Sequence, residues 1–185
     1  MVCYLVRHGR DDESRRGGWS DAALCAEGIL QVQQLAARLA AEGVKAARIY
    51  TSDLPRARQS ADILAAALAL PVQTLAQFRE TNNGLLAGMD NTLANERYPN
   101  LYWSTLAFDE CYPEGESPAQ FYARIAAAWA ALKARMREDG EDVLLVTHGG
   151  VAEAIRCMEA GLPYTNKKAQ FPALAYAEML AIEIV

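Results

Sequence analysis

The chain contains only two histidines, and both stand in the same local context. A short apolar run precedes each one and a glycine follows it, as in Val6-Arg7-His8-Gly9 and Val146-Thr147-His148-Gly149. A neutral imidazole is a competent nucleophile near neutral pH, because its ordinary pKa is about 6.5. A glycine beside it lets a backbone N–H approach an anion closely, so Gly9 and Gly149 are candidate substrate-binding residues. The alternative is a pair of unrelated core histidines.

Two arginines are candidates to hold an anion beside these imidazoles. Arg7 directly precedes His8 and presents a planar fork that matches phosphate oxygens. Arg56 falls in the first turn of a predicted helix, where a cation opposes the helix dipole, and this misfit favours an anionic partner. A surface ion pair with Asp53 or Asp62 is the alternative for Arg56. Together, the imidazoles, guanidiniums and glycines favour a phosphoryl ligand.

Strands and helices alternate along the chain. The apolar patterns predict strands at 2–6, 47–51, 143–146 and 175–185, and helices at 27–41, 55–69, 117–138 and 149–160. Ser52 or Asp53 is expected to cap the second helix. This alternation predicts an α/β fold, a three-layer α/β/α sandwich with a mostly parallel central sheet. Parallel strands end at one ligand-binding edge, so both imidazoles are expected on the same side. Whether their strands are neighbours is left open.

Residues 80–116 break this alternation. They are rich in asparagine, glycine and proline, and they include the aromatic residues Tyr98, Tyr102, Trp103, Phe108 and Tyr112. A long irregular stretch in a compact domain is typically a functional lid or an unrecognised helix. We expect an insertion that covers the active-site edge, with a helical piece at 93–98. Its aromatic residues would either stack on a leaving group or simply pack the insertion. The length predicts one domain over 1–185 with this lid-like insertion.

Composition excludes several classes of protein. A net charge of −5 argues against a general partner of nucleic acid or of anionic membranes. The 52% hydrophobic content excludes intrinsic disorder. No apolar run is long enough to cross a bilayer, and the first residues lack the pattern of a signal peptide. The four cysteines have no metal-like spacing, which favours a cytoplasmic protein with reduced thiols and no bound metal.

Six motifs, in order along nearly the whole chain, resemble those of the histidine phosphatase superfamily, in its phosphoglycerate mutase-like branch. The matching segments are Arg7-His8-Gly9, Trp19 to Leu24 with Gly28, Ser52 to Ala61, Phe78 to Glu80 with Gly84 and Gly88, Pro113 to Ser117, and Val143 to Gly150. Ser60 stands where the family has threonine. Arg-His-Gly alone is a weak signal, whereas the ordered set is specific.

The resemblance implies a role for each matching catalytic position. His8 would attack phosphorus and become a phosphohistidine, while Arg7, Arg56 and His148 would hold the phosphoryl oxygens. Glu80 would protonate the leaving oxygen and then help to deprotonate the attacking water. Phosphoryl transfer depends mainly on positioning and charge neutralisation, which arginines can supply. No metal ion and no other cofactor is therefore expected.

Some positions depart from the family pattern. Arg10-Asp11 stands where the family commonly has Glu-Thr, Ser14 stands where an asparagine often occurs, and Cys25 replaces a usual threonine. The segment 10–16 carries three arginines and three acidic residues, so its charges balance. Ser14 and Asp21 are nevertheless included among the substrate-binding residues that the resemblance implies. These departures leave the phosphoryl-binding residues intact and the identity of the substrate open.

The expected function is a metal-independent phosphomonoesterase acting on a small phosphorylated metabolite, with alpha-ribazole phosphate and sugar phosphates among the candidates. Phosphoglycerate mutase-type transfer is the alternative, although mutases of the family carry extra enclosing segments for which this chain has little room. A non-catalytic phosphoryl-binding module would lack the acid or the nucleophile. A protein phosphohistidine phosphatase would be smaller and lack the insertion. The oligomeric state is left open, a homodimer included.

Overall fold

The computed structural model describes residues 1–185. In chain order the elements are β1 (Val2–Arg7), α1 (Ala26–Glu42), β2 (Arg48–Thr51), α2 (Pro55–Leu68), β3 (Val72–Thr74), α3 (Asn91–Arg97), α4 (Pro118–Asp139), β4 (Val143–Thr147), α5 (Gly149–Glu159) and β5 (Met179–Glu183). Short 3₁₀ turns occur at Ala76–Phe78 and Gly84–Leu86. None of the helices combines the length and the apolar composition that a membrane crossing requires.

The five strands form one sheet in the order β3-β2-β4-β1-β5. All pairs are parallel except β1 with β5, which joins the edge antiparallel. The first two helices cover one face of the sheet, and α4 and α5 cover the other. This arrangement confirms the predicted three-layer α/β/α sandwich. Every residue of β4 is buried, as its continuous apolar run requires between two neighbouring strands and two helical layers.

Strand β1 lies directly beside β4, which answers the question that the sequence left open. Arg7 pairs with Thr147 in register, and the backbone N–H of His8 donates to the Thr147 carbonyl at 2.9 Å. On the other side of β4, Thr51 of β2 lies opposite Val146. Because these three parallel strands end at the same level, the residues that follow them emerge together at one edge of the sheet.

The long helix α4 begins as the sequence predicts. The Ser117 hydroxyl accepts a hydrogen bond from the Gln120 backbone N–H at 3.1 Å, and the Gln120 side chain accepts one from the Ser117 N–H at 2.9 Å. This reciprocal capping box satisfies two otherwise unpaired N–H groups. Gly140 ends the helix with a φ of 69°, a left-handed conformation that glycine adopts without strain. The predicted bounds of α4 are confirmed to within a residue.

Helix α2 begins differently from the prediction. Its N-cap is Leu54, and no side chain caps the helix. Ser52 and Asp53 each have another partner, so the prediction that one of them caps α2 is wrong. At α1, by contrast, the Cys25 sulfur accepts the Gly28 N–H at 3.4 Å, so this cysteine performs the capping that a threonine would otherwise supply.

Two strand predictions needed correction. Strand β3 was not predicted, because a three-residue strand after Pro71 is too short to show a period. Strand β5 covers only Met179–Glu183 of the predicted 175–185, since the residues before it form a turn over the ligand-binding edge. Within 80–116, the predicted helical piece is present as α3.

The segment 80–116 packs around a small core of its own. Leu86, Leu106 and Tyr112 are buried together, and Trp103 packs against them. The Asn166 side-chain amide donates to the carbonyls of Trp103 at 2.6 Å and Leu106 at 2.9 Å, which ties the segment to the chain beyond α5. Much of the aromatic content of the segment therefore packs it internally.

Candidate active site

The two imidazoles meet at the carboxyl edge of the sheet. The ring centroids of His8 and His148 are 5.1 Å apart and the rings are tilted by 60°. Their exposed fractions are 4% and 0%. The two residues are 140 positions apart in the sequence (148 − 8), and the adjacency of β1 and β4 brings them together. The expectation that both emerge on one side is confirmed.

The position of the proton on His8 follows from its partners. The ring Nδ1 lies 2.7 Å from the Gly9 carbonyl, and because a carbonyl oxygen only accepts, Nδ1 carries the hydrogen. The Nε2 atom therefore has a free electron pair, toward which the Arg56 Nε–H donates at 3.3 Å. Burial, followed by the positive charge of Arg56, lowers the pKa of His8 to about 3. The imidazole is neutral and its Nε2 can act as a nucleophile.

The His148 side chain is held by the residue that follows β2. Its Nε2 atom lies 2.7 Å from the Ser52 hydroxyl, which is completely buried. Its Nδ1 atom is buried and has no hydrogen-bond partner. Burial lowers the pKa of His148 well below its ordinary value, and Arg56 and His8 act in the same direction. This second imidazole is therefore also neutral, with one ring nitrogen unused.

Arg56 is a buried guanidinium with an exposed fraction of 2%. Its Nη1 donates to the Ser20 carbonyl and hydroxyl at 3.3 Å, and its Nη2 donates to the Gly18 carbonyl at 2.7 Å. The Asp11 carboxylate lies 3.3 Å from its Nε. Burial lowers the pKa of Arg56, although an arginine keeps its charge in proteins. The loop before α1 thus fixes the position of this cation.

The alternative partners proposed for Arg56 are engaged elsewhere. Asp53 pairs with Arg79 at 2.5 Å, and this ion pair lowers the pKa of Asp53. Asp62 pairs with Arg58 one helical turn away at 2.9 Å, on the exposed face of α2. The two arginines of α2 therefore differ, since Arg56 points into the site and Arg58 points away from it.

Arg7 lies on the other side of His8. Its guanidinium is 3.9 Å from the ring centroid of Tyr176, and its Nη1 donates to the Leu174 carbonyl at 2.7 Å. The same tyrosine ring lies 5.6 Å from the His8 ring. The Arg7 Nε is buried without a partner, and Gly149 at the start of α5 lies against this guanidinium. We call the four residues Arg7, His8, Arg56 and His148 the imidazole–arginine cluster.

Glu80 is held beside this cluster by the start of α5. One of its carboxylate oxygens accepts the Gly150 N–H at 3.0 Å, and the other accepts the Thr81 N–H at 3.1 Å. Its carbonyl accepts from the Trp19 indole at 2.6 Å and from Arg124 at 3.1 Å. A Cβ at Gly150 would lie 2.4 Å from the Glu80 carboxylate. The second glycine of His-Gly-Gly is therefore needed to make room for this carboxyl group.

Gly9 has a different task from the one predicted. Its N–H donates to the buried Ser60 hydroxyl at 3.1 Å, so it is not directed at a ligand. A Cβ at this position would lie 2.4 Å from the Gly28 carbonyl of α1. Gly9 therefore permits close packing of the end of β1 on α1, and its carbonyl orients His8. The prediction that Gly9 binds substrate has no support from this hydrogen bond and stays a prediction.

The structure does not bring Ser14 or Asp21 to the imidazole–arginine cluster. The Ser14 hydroxyl donates to the Asp12 carboxylate at 2.6 Å in an exposed turn. Asp21 is exposed on the surface of the loop before α1. No contact of either side chain in the structure supports a role in substrate binding.

A cavity of about 480 Å³ adjoins Glu80 and Gly150. The segment 80–116 supplies one wall through Tyr102, Trp103 and Tyr112, and Arg16 also lines the cavity, with its guanidinium 4.6 Å from the Tyr102 ring centroid. We call this space the side cavity. It lies next to the carboxyl group of Glu80, so a molecule that fills it touches Glu80.

Three residues of the site were missed in the sequence. Ser52 follows β2 at the same edge as the histidines, and this position was a usable signal, but the residue was assigned to helix capping. Asp11 was noted only as a departure from the family pattern. No sequence signal could have placed Tyr176 against Arg7, because its position depends on a turn before the antiparallel strand β5.

A model of the histidine phosphatase superfamily (branch 1) matches residues 3–183 of the chain. The chain belongs to this superfamily. A protein of Escherichia coli named "Probable phosphoglycerate mutase GpmB" is 33% identical over 168 residues, which cover 88% of this chain and 76% of that protein. The family assignment implied by the ordered motifs is therefore confirmed, and the protein is a histidine phosphatase superfamily enzyme.

Solved structures agree with this assignment. A mycobacterial glucosyl-3-phosphoglycerate phosphatase superposes with a TM-score of 0.79 at 28% identity, covering 98% of this chain and 89% of its own. The alpha-ribazole phosphatase of Shigella flexneri has a TM-score of 0.84 at 23% identity, covering 99% of this chain and 90% of its own. At that identity the second similarity shows the shared fold alone. Both the sheet and the layers of this protein are thus those of the superfamily.

Proposed function

We propose that the protein is a metal-independent phosphomonoesterase that hydrolyses a small phosphorylated metabolite through a phosphohistidine on His8. The observation that carries this proposal is the state of His8. Its Nδ1–H is held by the Gly9 carbonyl and its pKa is lowered to about 3, so Nε2 keeps a free electron pair. The Arg56 Nε–H donates to that atom. The His148 ring lies 5.1 Å from the His8 ring, and the positive charge of Arg7 also acts on His8.

In the first step the His8 Nε2 attacks phosphorus, and the bond from phosphorus to the ester oxygen breaks. Glu80, in its protonated form, donates its proton to the leaving oxygen. In the free enzyme the Arg56 Nε–H donates a hydrogen bond to His8. As the new bond to phosphorus forms, this N–H donates instead to a phosphoryl oxygen. Each charge-assisted hydrogen bond of this kind contributes roughly 1.5–3 kcal/mol.

Two nitrogens of the imidazole–arginine cluster have unused hydrogen-bonding capacity. These are the buried Arg7 Nε and the His148 Nδ1. Buried polar groups without partners are uncommon and call for an explanation. A Ser52 hydroxyl that donates to His148 Nε2 leaves the ring proton on Nδ1, where it serves as a donor. A bound phosphoryl group would give both nitrogens an acceptor.

In the second step a water molecule attacks the phosphorus of phosphohistidine. Glu80, now a carboxylate, takes a proton from this water, the N–P bond breaks, and His8 recovers its electron pair. Inorganic phosphate leaves and Glu80 is protonated again. The Gly150 N–H at 3.0 Å holds the carboxyl group in place for both steps.

The side cavity is the proposed place of the leaving group. It adjoins the carboxyl group that would protonate the leaving oxygen, and its wall carries the exposed ring of Tyr102. The similarity to a glucosyl-3-phosphoglycerate phosphatase at 28% identity supports a phosphorylated metabolite as the class of substrate.

Phosphoglycerate mutase-type transfer is the second candidate, favoured by the name of the relative at 33% identity. The two reactions differ in the acceptor, which is water for a phosphatase and a hydroxyl of a second phosphorylated molecule for a mutase. Incubation with 3-phosphoglycerate separates them. A phosphatase releases inorganic phosphate, whereas a mutase forms 2-phosphoglycerate.

The experiment that tests the proposed function is hydrolysis of an aryl phosphate, followed by a screen of phosphorylated metabolites scored by kcat/KM. We expect wild-type activity to persist in EDTA, because arginines and His148 supply the positive charge and the hydrogen bonds. We expect His8→Ala to have no measurable activity. Full activity of His8→Ala, or loss of wild-type activity in EDTA, would contradict the proposal.

A further inference from the structure

The Asp11 carboxylate lies beside Arg56 of the imidazole–arginine cluster. The role inferred for it rests on the proposed function. The Asp11 side chain has an exposed fraction of 10%, and one of its oxygens is 3.3 Å from the Arg56 Nε. Residues 10–16 carry equal numbers of positive and negative side chains, but these side chains have different partners in the structure. Arg10 pairs with Glu13 and Glu27 at the surface. Of the three acidic residues of this segment, only Asp11 reaches a cation of the cluster.

Arg56 is also held by groups other than Asp11. Its Nη1 and Nη2 already donate to Ser20 and Gly18. Its Nε–H donates to the His8 Nε2 at 3.3 Å rather than to the carboxylate. Asp11 therefore adds negative charge at the nitrogen of Arg56 that faces the nucleophile, beyond the hydrogen bonds that orient the guanidinium.

The backbone holds Asp11 in this position. It forms an isolated antiparallel bridge with Leu24, and the neighbouring Arg10 carbonyl accepts the Cys25 N–H at 3.0 Å. The side chain consequently points at Arg56 in the absence of any ligand. A phosphoryl oxygen bound to the Arg56 Nε would lie close to the carboxylate, and two negative charges a few ångströms apart repel each other strongly in a partly buried site.

We propose that Asp11 is a specificity-determining residue that competes with phosphate for Arg56. Its negative charge lowers the affinity of the free enzyme for inorganic phosphate and so limits inhibition by the product. A substrate ester offsets this repulsion through contacts of its leaving group in the side cavity, which inorganic phosphate lacks. The residue thereby favours an ester with a sizeable leaving group over the product ion.

The competition depends on pH. Burial raises the pKa of Asp11 and the nearby Glu13 adds to this, whereas Arg56 and Arg7 oppose it. Tyr176 also faces the carboxylate, and His8 stays neutral. Protonation of Asp11 removes its charge, so the competition is strongest above the pKa of Asp11 and fades as the pH falls through it.

The test is binding of inorganic phosphate to Asp11→Asn, measured by titration calorimetry. This substitution removes the charge and keeps the size of the side chain. We expect the dissociation constant for phosphate to fall by about tenfold at about pH 8 relative to the wild type. Because protonation of Asp11 removes its charge, the difference between the two proteins should narrow as the pH is lowered through the pKa of Asp11. Asp12→Asn is the matched control, because it makes the same change at the adjacent residue, whose side chain is 53% exposed.

An unchanged, weaker or undetectable affinity of Asp11→Asn for phosphate would overturn the proposal, and a weaker or undetectable one would assign Asp11 to the positioning of Arg56. Thermal unfolding checks that the variant is folded, and Asp11→Ser repeats the test if it is not. Phosphate binding requires no turnover. A wild-type protein that binds phosphate and hydrolyses no ester would contradict the proposed function and leave this measurement valid.

Discussion

The imidazole–arginine cluster and the side cavity are built by different kinds of structure. His8, Ser52 and His148 each follow a parallel strand, so the register of the sheet brings them together. Most of the lining of the side cavity comes from residues 80–116, which contribute no strand and pack around a small core of their own. From this comparison we propose that the sheet edge supplies the chemistry and that the irregular segment supplies the choice of leaving group.

Apart from loss of the His8 nucleophile, the largest effect should come from substitution of the buried cation of the cluster, Arg56. We expect Arg56→Ala to lower kcat/KM for an aryl phosphate by about 10³–10⁵, because an arginine that stabilises the charge of a phosphoryl transition state has an effect of this size. Arg58→Ala is the matched control on the same helix, since Arg58 pairs with Asp62 at the surface. Comparable losses in both variants would show that α2 is merely destabilised.

Glu80 lies between the imidazole–arginine cluster and the side cavity. The rate lost on its substitution should depend on the leaving group. We expect Glu80→Gln to slow hydrolysis of an alkyl phosphate by about 10²–10⁴, because a poor leaving group needs a proton as it departs. The kcat/KM for an aryl phosphate should fall much less, because this ratio reports only the steps up to departure of the leaving group, whereas the slower attack of water lowers kcat for every ester. Values of kcat/KM across a series of leaving groups measure this dependence, and an equal fall across the whole series would remove Glu80 from the role of acid.

A substitution in the wall of the side cavity should change substrate selectivity by a smaller factor than the two substitutions above change the rate. We expect Tyr102→Ala to raise KM for the best metabolite by about threefold to tenfold, the size of one aromatic contact, with little effect on an aryl phosphate. Phe108→Ala is the control, because this ring is 45% exposed in the same segment and does not line the cavity. Equal changes for both substrates would show that the cavity wall does not select the leaving group.

The two regions also differ in how far the sequence predicts them. The apolar runs before His8 and His148, and the family motifs around them, predict the sheet edge and most of the cluster. They do not predict that β1 and β4 are neighbours, because strand order depends on contacts between elements far apart in the chain.

Local rules failed where a tertiary partner took precedence over them. Ser52 and Asp53 have the residue types of helix caps, but His148 and Arg79 engage their side chains. The glycine at position 9 is explained by its close packing against α1, which leaves no room for a Cβ. The cytoplasmic location stays a prediction.

The central claim is that the Nε2 of His8 forms a bond to phosphorus. The most direct test mixes the enzyme with a labelled phosphate ester and stops the reaction rapidly without acid. The labelled peptide is then mapped. Glu80→Gln is the protein of choice, because slow attack of water lets the intermediate accumulate. The account predicts a phosphoramidate on His8 that is stable in alkali and labile in acid. Label on another residue, or turnover with no labelled enzyme, would contradict it.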